Sequence, residues 1–283
     1  MGSAMAAHLI RARYRVIGYD VLPARRLRHR RAGGAAAASA REVGRDANVI
    51  LCSLPSAKAL LDTAASLAAE PRRRRIVIEA STLPIAVKDE ARRMLARSGT
   101  TLLDCPLSGT GTQARAGDIV VYASGDRAAY RRVTPIFERI SRAHYYIGPF
   151  GAGSRMKFVA NLLVAIHNVA AAEAMVLGMK AGLDPAAMVK VIGDGAGSSR
   201  MFEVRAPMMA RRRYVPPSMK LGVWRKDMAI IGEFARQLKC ATPLFAATAP
   251  IYTAAARRAP AWDTAAVLEV VRERSKVKGQ RSK

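Results

Sequence analysis

One long apolar stretch, from Gly151 to Ala181, constrains the fold of this chain more than any other feature. It opens with a glycine turn, contains no proline, and has the apolar pattern of a long buried helix. Polar side chains set into this pattern are Lys157, Asn161, His167, Asn168 and Glu173. The apolar part is nearly long enough to span a bilayer, but these polar groups favour a protein interior over a membrane.

Lys157 and Asn161 are four residues apart in this stretch, so on a helix they project from one face, one turn apart. A buried lysine beside an amide is costly unless a polar group docks there. The spacing therefore indicates a functional position. It leaves open the alternative of a lysine whose stem lies along the surface with its ammonium in water.

Strand and helix signals alternate from the amino terminus to Gly148, after which only helical signals follow. The alternation predicts an α/β domain over residues 1–148 with a doubly wound parallel sheet. Residues 149–275 are predicted to form an all-α domain, and residues 276–283 a basic tail. The segment from Ser108 to Gly117 is predicted to be a glycine-rich loop.

The charge is strongly positive, with 47 Lys and Arg against 21 Asp and Glu, or a formal +26. The basic residues are mostly arginines in separate clusters, at 25–31, 72–75 and 211–213. They lack interleaved aromatic residues and zinc-finger or RNP motifs, so we expect a solvated basic surface and no specific nucleic-acid partner.

Cysteines and histidines give no sign of a metal site or disulfide framework. Cys52, Cys105 and Cys240 are far apart and odd in number, as expected of thiols in a reducing compartment. The four histidines lack metal-ligand spacing. The amino-terminal segment is a poor signal peptide, because its arginines follow the apolar run. We expect a cytoplasmic protein with no metal and no membrane association.

A dinucleotide site is suggested by Gly2 and by Asp20, which lies 18 residues after it. In such folds a glycine turn opens a helix that holds the pyrophosphate, and an acidic residue after the second strand binds the ribose. Gly2 can only be the last glycine of a GxGxxG motif, and the strand before it is missing from the sequence. Either the start codon was placed too late, or this chain binds dinucleotide poorly. Asp20 could also be an ordinary turn residue.

Several motifs resemble the β-hydroxyacid dehydrogenases of the 3-hydroxyisobutyrate dehydrogenase and tartronate-semialdehyde reductase type, which are related to the 6-phosphogluconate dehydrogenases. The resemblance covers nearly the whole chain, beginning partway through the family's glycine-rich turn. It rests on MGSAMAAHLIRARYRVIGYDVLP at the amino terminus, Leu54-Pro55-Ser56, Ser81-Thr82 with Pro84, the block from Asp104 to Gly109, Gly125-Asp126, GAGSRMKFVAN from Gly151, and Lys226-Asp227-Met228.

This resemblance implies an NAD- or NADP-dependent oxidoreductase that moves a hydride between a nicotinamide and a small β-hydroxy acid or semialdehyde. Lys157 would be the general acid/base and Asn161 would orient the substrate or the lysine, on the floor of a cleft between the two domains. Ser108, Gly109 and Thr110 would lie at the substrate. The residues implied at the cofactor are Gly2, Asp20, Leu54, Pro55, Thr82 and Lys226.

Other implications of the resemblance concern the cofactor, the substrate and assembly. Asp20 would favour NAD by repelling a 2'-phosphate, although the nearby Arg25 and Arg26 weaken that preference. Thr110 and Ala160 depart from the usual family residues on the substrate side, which leaves the acid open. Relatives form dimers or tetramers, so a homo-oligomer is expected.

Two further hypotheses remain at this point. One is a reductase of the same fold that acts on another electrophile, such as an imine, although Lys157 argues against the members that replace it. The other is a noncatalytic basic protein that retains only the fold.

Overall fold

The structure is a computed structural model that describes residues 1–70 and 74–275. The predicted basic tail at 276–283 and two members of the basic cluster at 72–75, Arg72 and Arg73, lie outside the described residues. By its contacts the chain forms two compact units, Met1–Lys157 and the described part of Phe158–Lys283.

The first unit alternates strands and helices, as predicted. Its strands are β1 (Ile17–Gly18), β2 (Ala35–Ala36), β3 (Val49–Cys52), β4 (Ile76–Glu79), β5 (Thr101–Asp104), β6 (Leu107–Ser108), β7 (Val120–Ser124) and β8 (Ala143–Gly148). Its helices are α1 (Gly2–Arg11), α2 (Pro23–Arg31), α3 (Ala40–Asp46), α4 (Ala57–Ala68), α5 (Ile85–Ala96), α6 (Gly111–Ala116) and α7 (Arg127–Ile140).

The sheet of this unit is divided in two. Strands β1 and β2 pair in parallel in a separate two-stranded sheet, with Ile17 opposite Ala35. Among the described residues, no strand joins the small sheet to the larger one.

The larger sheet has six strands, with β3, β4 and β5 parallel and in register. Beyond β5 the prediction of a parallel sheet is wrong, since β7 runs antiparallel to both β5 and β6. The segment between β6 and β7 holds only the short helix α6, whereas a parallel connection needs a crossover of about a dozen or more residues. Strand β8 then pairs with β7 in parallel, as predicted.

Strand β4 explains how the sheet is stabilised. Ile76 and Ile78 pack into one buried cluster with Phe137 of α7, while Val77 points to the opposite face and packs with Leu95 of α5. All four residues of β4 are buried, as expected of a central strand covered by helices on both faces.

The second unit is helical, and in the part of it that the structure describes no strand follows β8. Its helices are α8 (Ala152–Lys180, which begins in the first unit), α9 (Pro185–Gly193), α10 (Arg200–Ala210), α11 (Leu221–Gln237), α12 (Pro243–Arg258) and α13 (Val267–Arg274), the last preceded by a 3-10 turn at Thr264–Ala266.

Helix α8 confirms the single long helix predicted from the apolar stretch. By length and composition alone it could also cross a membrane. However, Asn168 within it is 1% exposed and donates hydrogen bonds to Tyr252 Oη and Thr264 O, as in the core of a folded protein.

Candidate active site

The carboxyl ends of β4 and β5 carry a buried ionic cluster. Glu79 and Asp104 are the last residues of these strands, lie opposite each other in register, and are completely buried. Lys88 of α5, also completely buried, places Nζ 2.7 Å from Glu79 Oε2 and 2.8 Å from Asp104 Oδ1. It also donates to Ser81 O at 2.7 Å. We call Glu79, Lys88 and Asp104 the carboxyl-edge cluster.

Two opposing effects act on the pKa of Lys88. Burial favours the neutral amine and lowers the pKa, but the negative charges of Glu79 and Asp104 outweigh it and raise the pKa above its ordinary value. Lys88 is therefore an ammonium at neutral pH, and the cluster is ionic.

Sequence analysis missed Lys88 and Glu79 as site residues. One signal was present, because Lys88 has helical spacing with the buried residues Ala91 and Leu95 and so lies on the core face of α5. A lysine on an otherwise apolar face needs a buried partner. Its partners lie in two different strands, so the sequence could not identify them.

Asp104 also holds the start of α8. Its Oδ2 accepts a hydrogen bond from Ser154 N at 2.8 Å, and its Oδ1 accepts one from Ser154 Oγ at 2.8 Å. Ser124 Oγ lies 3.2 Å from Asp104 Oδ2 and accepts from Gly153 N at 2.9 Å. The first turn of α8 is thus attached to the ends of β5 and β7.

Lys157 lies one turn beyond Ser154 on α8 and is 8% exposed. The alternative of a lysine lying along the surface is therefore wrong, because most of the residue is covered. The sequence-based interpretation of a buried lysine in the first turns of α8 holds.

Asn161 is four residues further along α8 and 3% exposed. Its Nδ2 donates to Asp227 Oδ2 at 3.1 Å, and Lys226 Nζ lies 2.7 Å from Asp227 Oδ1. Asp227 of α11 therefore binds two predicted site residues, although sequence analysis gave it no role. Lys226 lies in the second turn of α11, because that helix begins at Leu221.

The predicted substrate residues lie at the end of β6 and the start of α6. Ser108 ends β6, and Gly109 has a φ of 132°, where a Cβ would also lie 2.8 Å from Ile119 Cγ2. Thr110 caps α6, because its Oγ1 accepts from Gln113 N while Gln113 Oε1 accepts from Thr110 N. This capping box turns the predicted glycine-rich loop into a short helix.

Apart from Lys226 on α11, the predicted cofactor residues lie after parallel strands or where α1 begins. Gly2 is the first residue of α1, which has no side-chain cap and no acidic residue in its first turn. Leu54 and Pro55 follow β3, and Thr82 follows β4. The loops after β3 and β4 are joined, since Leu54 N donates to Ser81 Oγ at 2.7 Å. An uncapped helix start beside strand ends suits the pyrophosphate of a dinucleotide.

Asp20 follows β1 and is surrounded by arginines. Arg25 Nη1 lies 3.2 Å from Asp20 Oδ2, and Leu22 N donates to Asp20 Oδ1 at 3.0 Å. Arg26 donates to Asp20 O at 2.6 Å, and its guanidinium lies 5.7 Å from the centroid of the Tyr19 ring. The negative charge of Asp20 is therefore partly balanced.

Within residues 1–70 and 74–275, no group of three or more His, Cys, Asp or Glu side chains could hold a metal ion.

Known proteins share both parts of this architecture. Residues 1–148 match the family model described as the NAD binding domain of 6-phosphogluconate dehydrogenase. Residues 151–271 match the model described as NAD-binding of NADP-dependent 3-hydroxyisobutyrate dehydrogenase. The two matches follow the same order as the α/β and helical parts of the chain.

Among curated proteins, the L-threonate dehydrogenase of Cupriavidus necator is 36% identical over 251 residues, which is 87% of this chain and 84% of that protein. Among solved structures, a 3-hydroxyisobutyrate dehydrogenase from Salmonella typhimurium has a TM-score of 0.85 at 29% identity and 95% coverage of both chains. The 3-hydroxyisobutyrate dehydrogenase of Mycobacterium tuberculosis, solved with L-serine, has a TM-score of 0.86 at 26% identity and 96% coverage of both chains.

These matches confirm the predicted family, the Rossmann-type domain followed by a helical domain, and a nicotinamide dinucleotide as cofactor. The chain belongs to the β-hydroxyacid dehydrogenases, NAD(P)-dependent enzymes that act on a hydroxyl group.

Proposed function

We propose that this enzyme oxidises a hydroxyl group of a small hydroxy acid, or reduces the corresponding carbonyl, with Lys157 as general acid/base. The observation that carries the proposal is the placement of Lys157. It is a buried lysine one turn after Ser154, whose backbone and side chain both bind Asp104 at the carboxyl edge of the Rossmann-type sheet. Ligands of open α/β sheets bind at that edge.

A bound nicotinamide would supply the hydride acceptor for oxidation and the hydride donor for reduction. Lys157 Nζ accepts the proton of the substrate hydroxyl during oxidation and returns it during reduction. The Ser108 hydroxyl and the backbone N–H groups near Gly109 bind the substrate carboxylate as a small anion nest. Asn161, whose amide nitrogen donates to Asp227, orients the substrate or Lys157. Thr110 contributes to the substrate side through the start of α6.

For the cofactor, we propose that the start of α1 at Gly2 receives the pyrophosphate, while Leu54, Pro55 and Thr82 line the site. Lys226 contacts the nicotinamide or the substrate carboxylate. Asp20 gives a slight preference for NAD over NADP, and its pairing with Arg25 keeps that preference small. Replacing Asp20 with Ala should therefore shift the ratio of kcat/KM values toward NADP by no more than about tenfold.

For the substrate, we propose a hydroxylated acid such as L-threonate as the first candidate, with 3-hydroxyisobutyrate as the second. The order follows the names of the similar proteins, because the relative at 36% identity is an L-threonate dehydrogenase. Thr110 and Ala160 depart from the usual residues of the family, so related acids with other substituents belong in the same screen.

We further propose a cytoplasmic homodimer or homotetramer without a specific nucleic-acid or membrane partner. The support for an oligomer is that apolar side chains of α8 are exposed, with Val159 at 55%, Leu163 at 47% and Leu177 at 72%. Light scattering after size exclusion would measure the mass, and a monomer at micromolar concentration would contradict this part of the proposal.

The decisive experiment measures nicotinamide reduction with a panel of hydroxy acids, alongside cofactor binding by fluorescence. Lys157→Met should lower kcat by about 10²- to 10⁴-fold while cofactor affinity stays within about threefold. Lys190→Met, at an exposed lysine of α9, is the matched control and should change neither quantity. Full turnover by Lys157→Met would refute the role of Lys157, and reduction of imines in place of hydroxy-acid oxidation would favour the imine hypothesis.

A further inference from the structure

Hydrogen bonds connect the carboxyl-edge cluster to the loops after β3 and β4 and to the first turn of α8. Glu79 Oε1 accepts from Ser81 N at 2.9 Å, and Ser81 Oγ accepts from Leu54 N at 2.7 Å, so the loops after β3 and β4 are fixed to it. Asp104 ends β5 four residues before Ser108 and holds the first turn of α8, which leads to Lys157.

Lys88 is the link between these segments. Its Nζ binds Glu79, Asp104 and Ser81 O, which belong to two strands and one loop. None of these bonds is exposed, since Lys88, Glu79 and Asp104 are each 0% exposed. The bonds are therefore not weakened by competing water, and they join α5 to both strand ends.

Stability alone explains such a cluster poorly. Removing three charged groups from water is costly, and well-packed apolar residues of similar volume are often as stable or more stable. What an ionic cluster provides beyond stability is a single geometry, because each oxygen is directed at a particular donor. Asp104 shows this directly, with Lys88 Nζ and Ser154 Oγ on Oδ1, and Ser154 N and Ser124 Oγ near Oδ2.

We propose that Lys88, Glu79 and Asp104 act as positioning residues for the reaction, holding the first turn of α8 on the carboxyl ends of β4 and β5 so that Lys157 meets the substrate in one geometry. This inference rests on the proposed function for its catalytic part. The residues of the cluster are buried and do not themselves contact the substrate.

The test compares Lys88→Met, an apolar side chain of similar length, with Lys58→Met. Lys58 is the matched control because its side chain is 84% exposed and forms an ion pair with Asp62 on the same helix. Two readouts are measured below the melting temperature of the variants. One is kcat and the KM for the cofactor, measured with saturating hydroxy acid, and the other is hydrogen exchange of the backbone amides at 152–158.

Lys88→Met should lower kcat at least about tenfold with KM for the cofactor within about threefold, and should speed exchange at 152–158. Lys58→Met should change neither. A folded Lys88→Met protein with kcat within about twofold of the parent would overturn the proposal, and so would unchanged exchange at 152–158.

A second variant keeps the test informative if Lys88→Met does not fold. Ser154→Ala keeps Lys88 and Asp104 paired and removes only the hydroxyl bond between α8 and Asp104. In Ser154→Ala, kcat should also fall while the KM for the cofactor stays within about threefold, but the fall in kcat should be smaller than in Lys88→Met. Unchanged kcat and unchanged exchange at 152–158 would refute the inference. If the parent enzyme oxidises no hydroxy acid, the proposed function fails, and the exchange measurement alone still decides whether the cluster positions α8.

Discussion

Substitution of Gly153 tests how closely the start of α8 must pack against the sheet. A Cβ at this position would lie 2.3 Å from Tyr122 O, 2.8 Å from Asp104 O and 3.2 Å from Pro106 Cδ. Ordinary contact begins at 3.4 Å, so the start of α8 would have to move by 3.4 − 2.3 = 1.1 Å to admit a methyl group at Gly153. The opposing oxygens are backbone atoms of β5 and β7, which cannot rotate away.

Gly153→Ala should therefore both destabilise the protein and slow the reaction. Overpacking of this kind costs about 1–3 kcal/mol, which lowers the melting temperature by roughly 2–12 °C for a unit of this size. Lys157 lies four residues further on the same helix, and a displacement of about 1 Å can lower the rate about 10²-fold. We expect both effects, with kcat falling more than cofactor affinity.

The assay pairs calorimetry with steady-state kinetics. Gly193→Ala is the control, because a Cβ at Gly193 in α9 meets no atom within 4 Å. It should leave kcat unchanged and alter the free energy of unfolding by less than about 0.5 kcal/mol, or stabilise slightly. If Gly153→Ala melted within about 1 °C of the parent protein and kept its kcat, the close contact between α8 and the sheet would be wrong.

Three further predictions concern other buried groups. Asp263→Asn should lower the free energy of unfolding by about 3–5 kcal/mol in denaturant titrations, because it leaves Arg205, only 3% exposed and 2.7 Å away, as an unpaired buried charge. Thiol labelling of the native protein near pH 8 should modify Cys240 alone, since Cys240 is exposed. Burial, reinforced by Glu79, raises the pKa of Cys52 to about 12, and burial beside Asp104 raises the pKa of Cys105 well above its ordinary value. Rapid labelling of either buried thiol would contradict this packing. Burial tends to raise the pKa of Glu269, but hydrogen bonds from Arg212 and Tyr214 outweigh it and lower the pKa below the ordinary value. The carboxylate therefore stabilises the fold above its unfolded pKa of about 4.3, and this stabilisation is lost as pH falls through the lower folded pKa. Glu269→Gln should reduce the fall in melting temperature at acid pH. An unchanged fall would show that Glu269 does not contribute.

The sequence by itself determined most of the elements, since hydrophobic period and turn residues act over a few neighbouring positions. The alternation of strand and helix signals predicted the α/β part of the chain, and the apolar stretch after Gly151 predicted the single helix α8. The alternation of strands and helices predicted the fold class, helical spacing placed Lys157 on that helix, and the family motifs predicted the cofactor type. The prediction failed at α6, where a capping box within the glycine-rich segment starts a short helix.

Only the tertiary structure decided which distant side chains meet. Glu79, Lys88, Asp104 and Ser154 come from two strands and two helices, and no local pattern links them. They meet because parallel pairing of β4 and β5 brings their carboxyl ends to one edge, while α5 and the start of α8 pack against it. The antiparallel direction of β7 was likewise set by the short connection between β6 and β7, and not by the composition of the strand. Periodicity determines which face of an element is buried, and the pairing of elements determines what that face contacts.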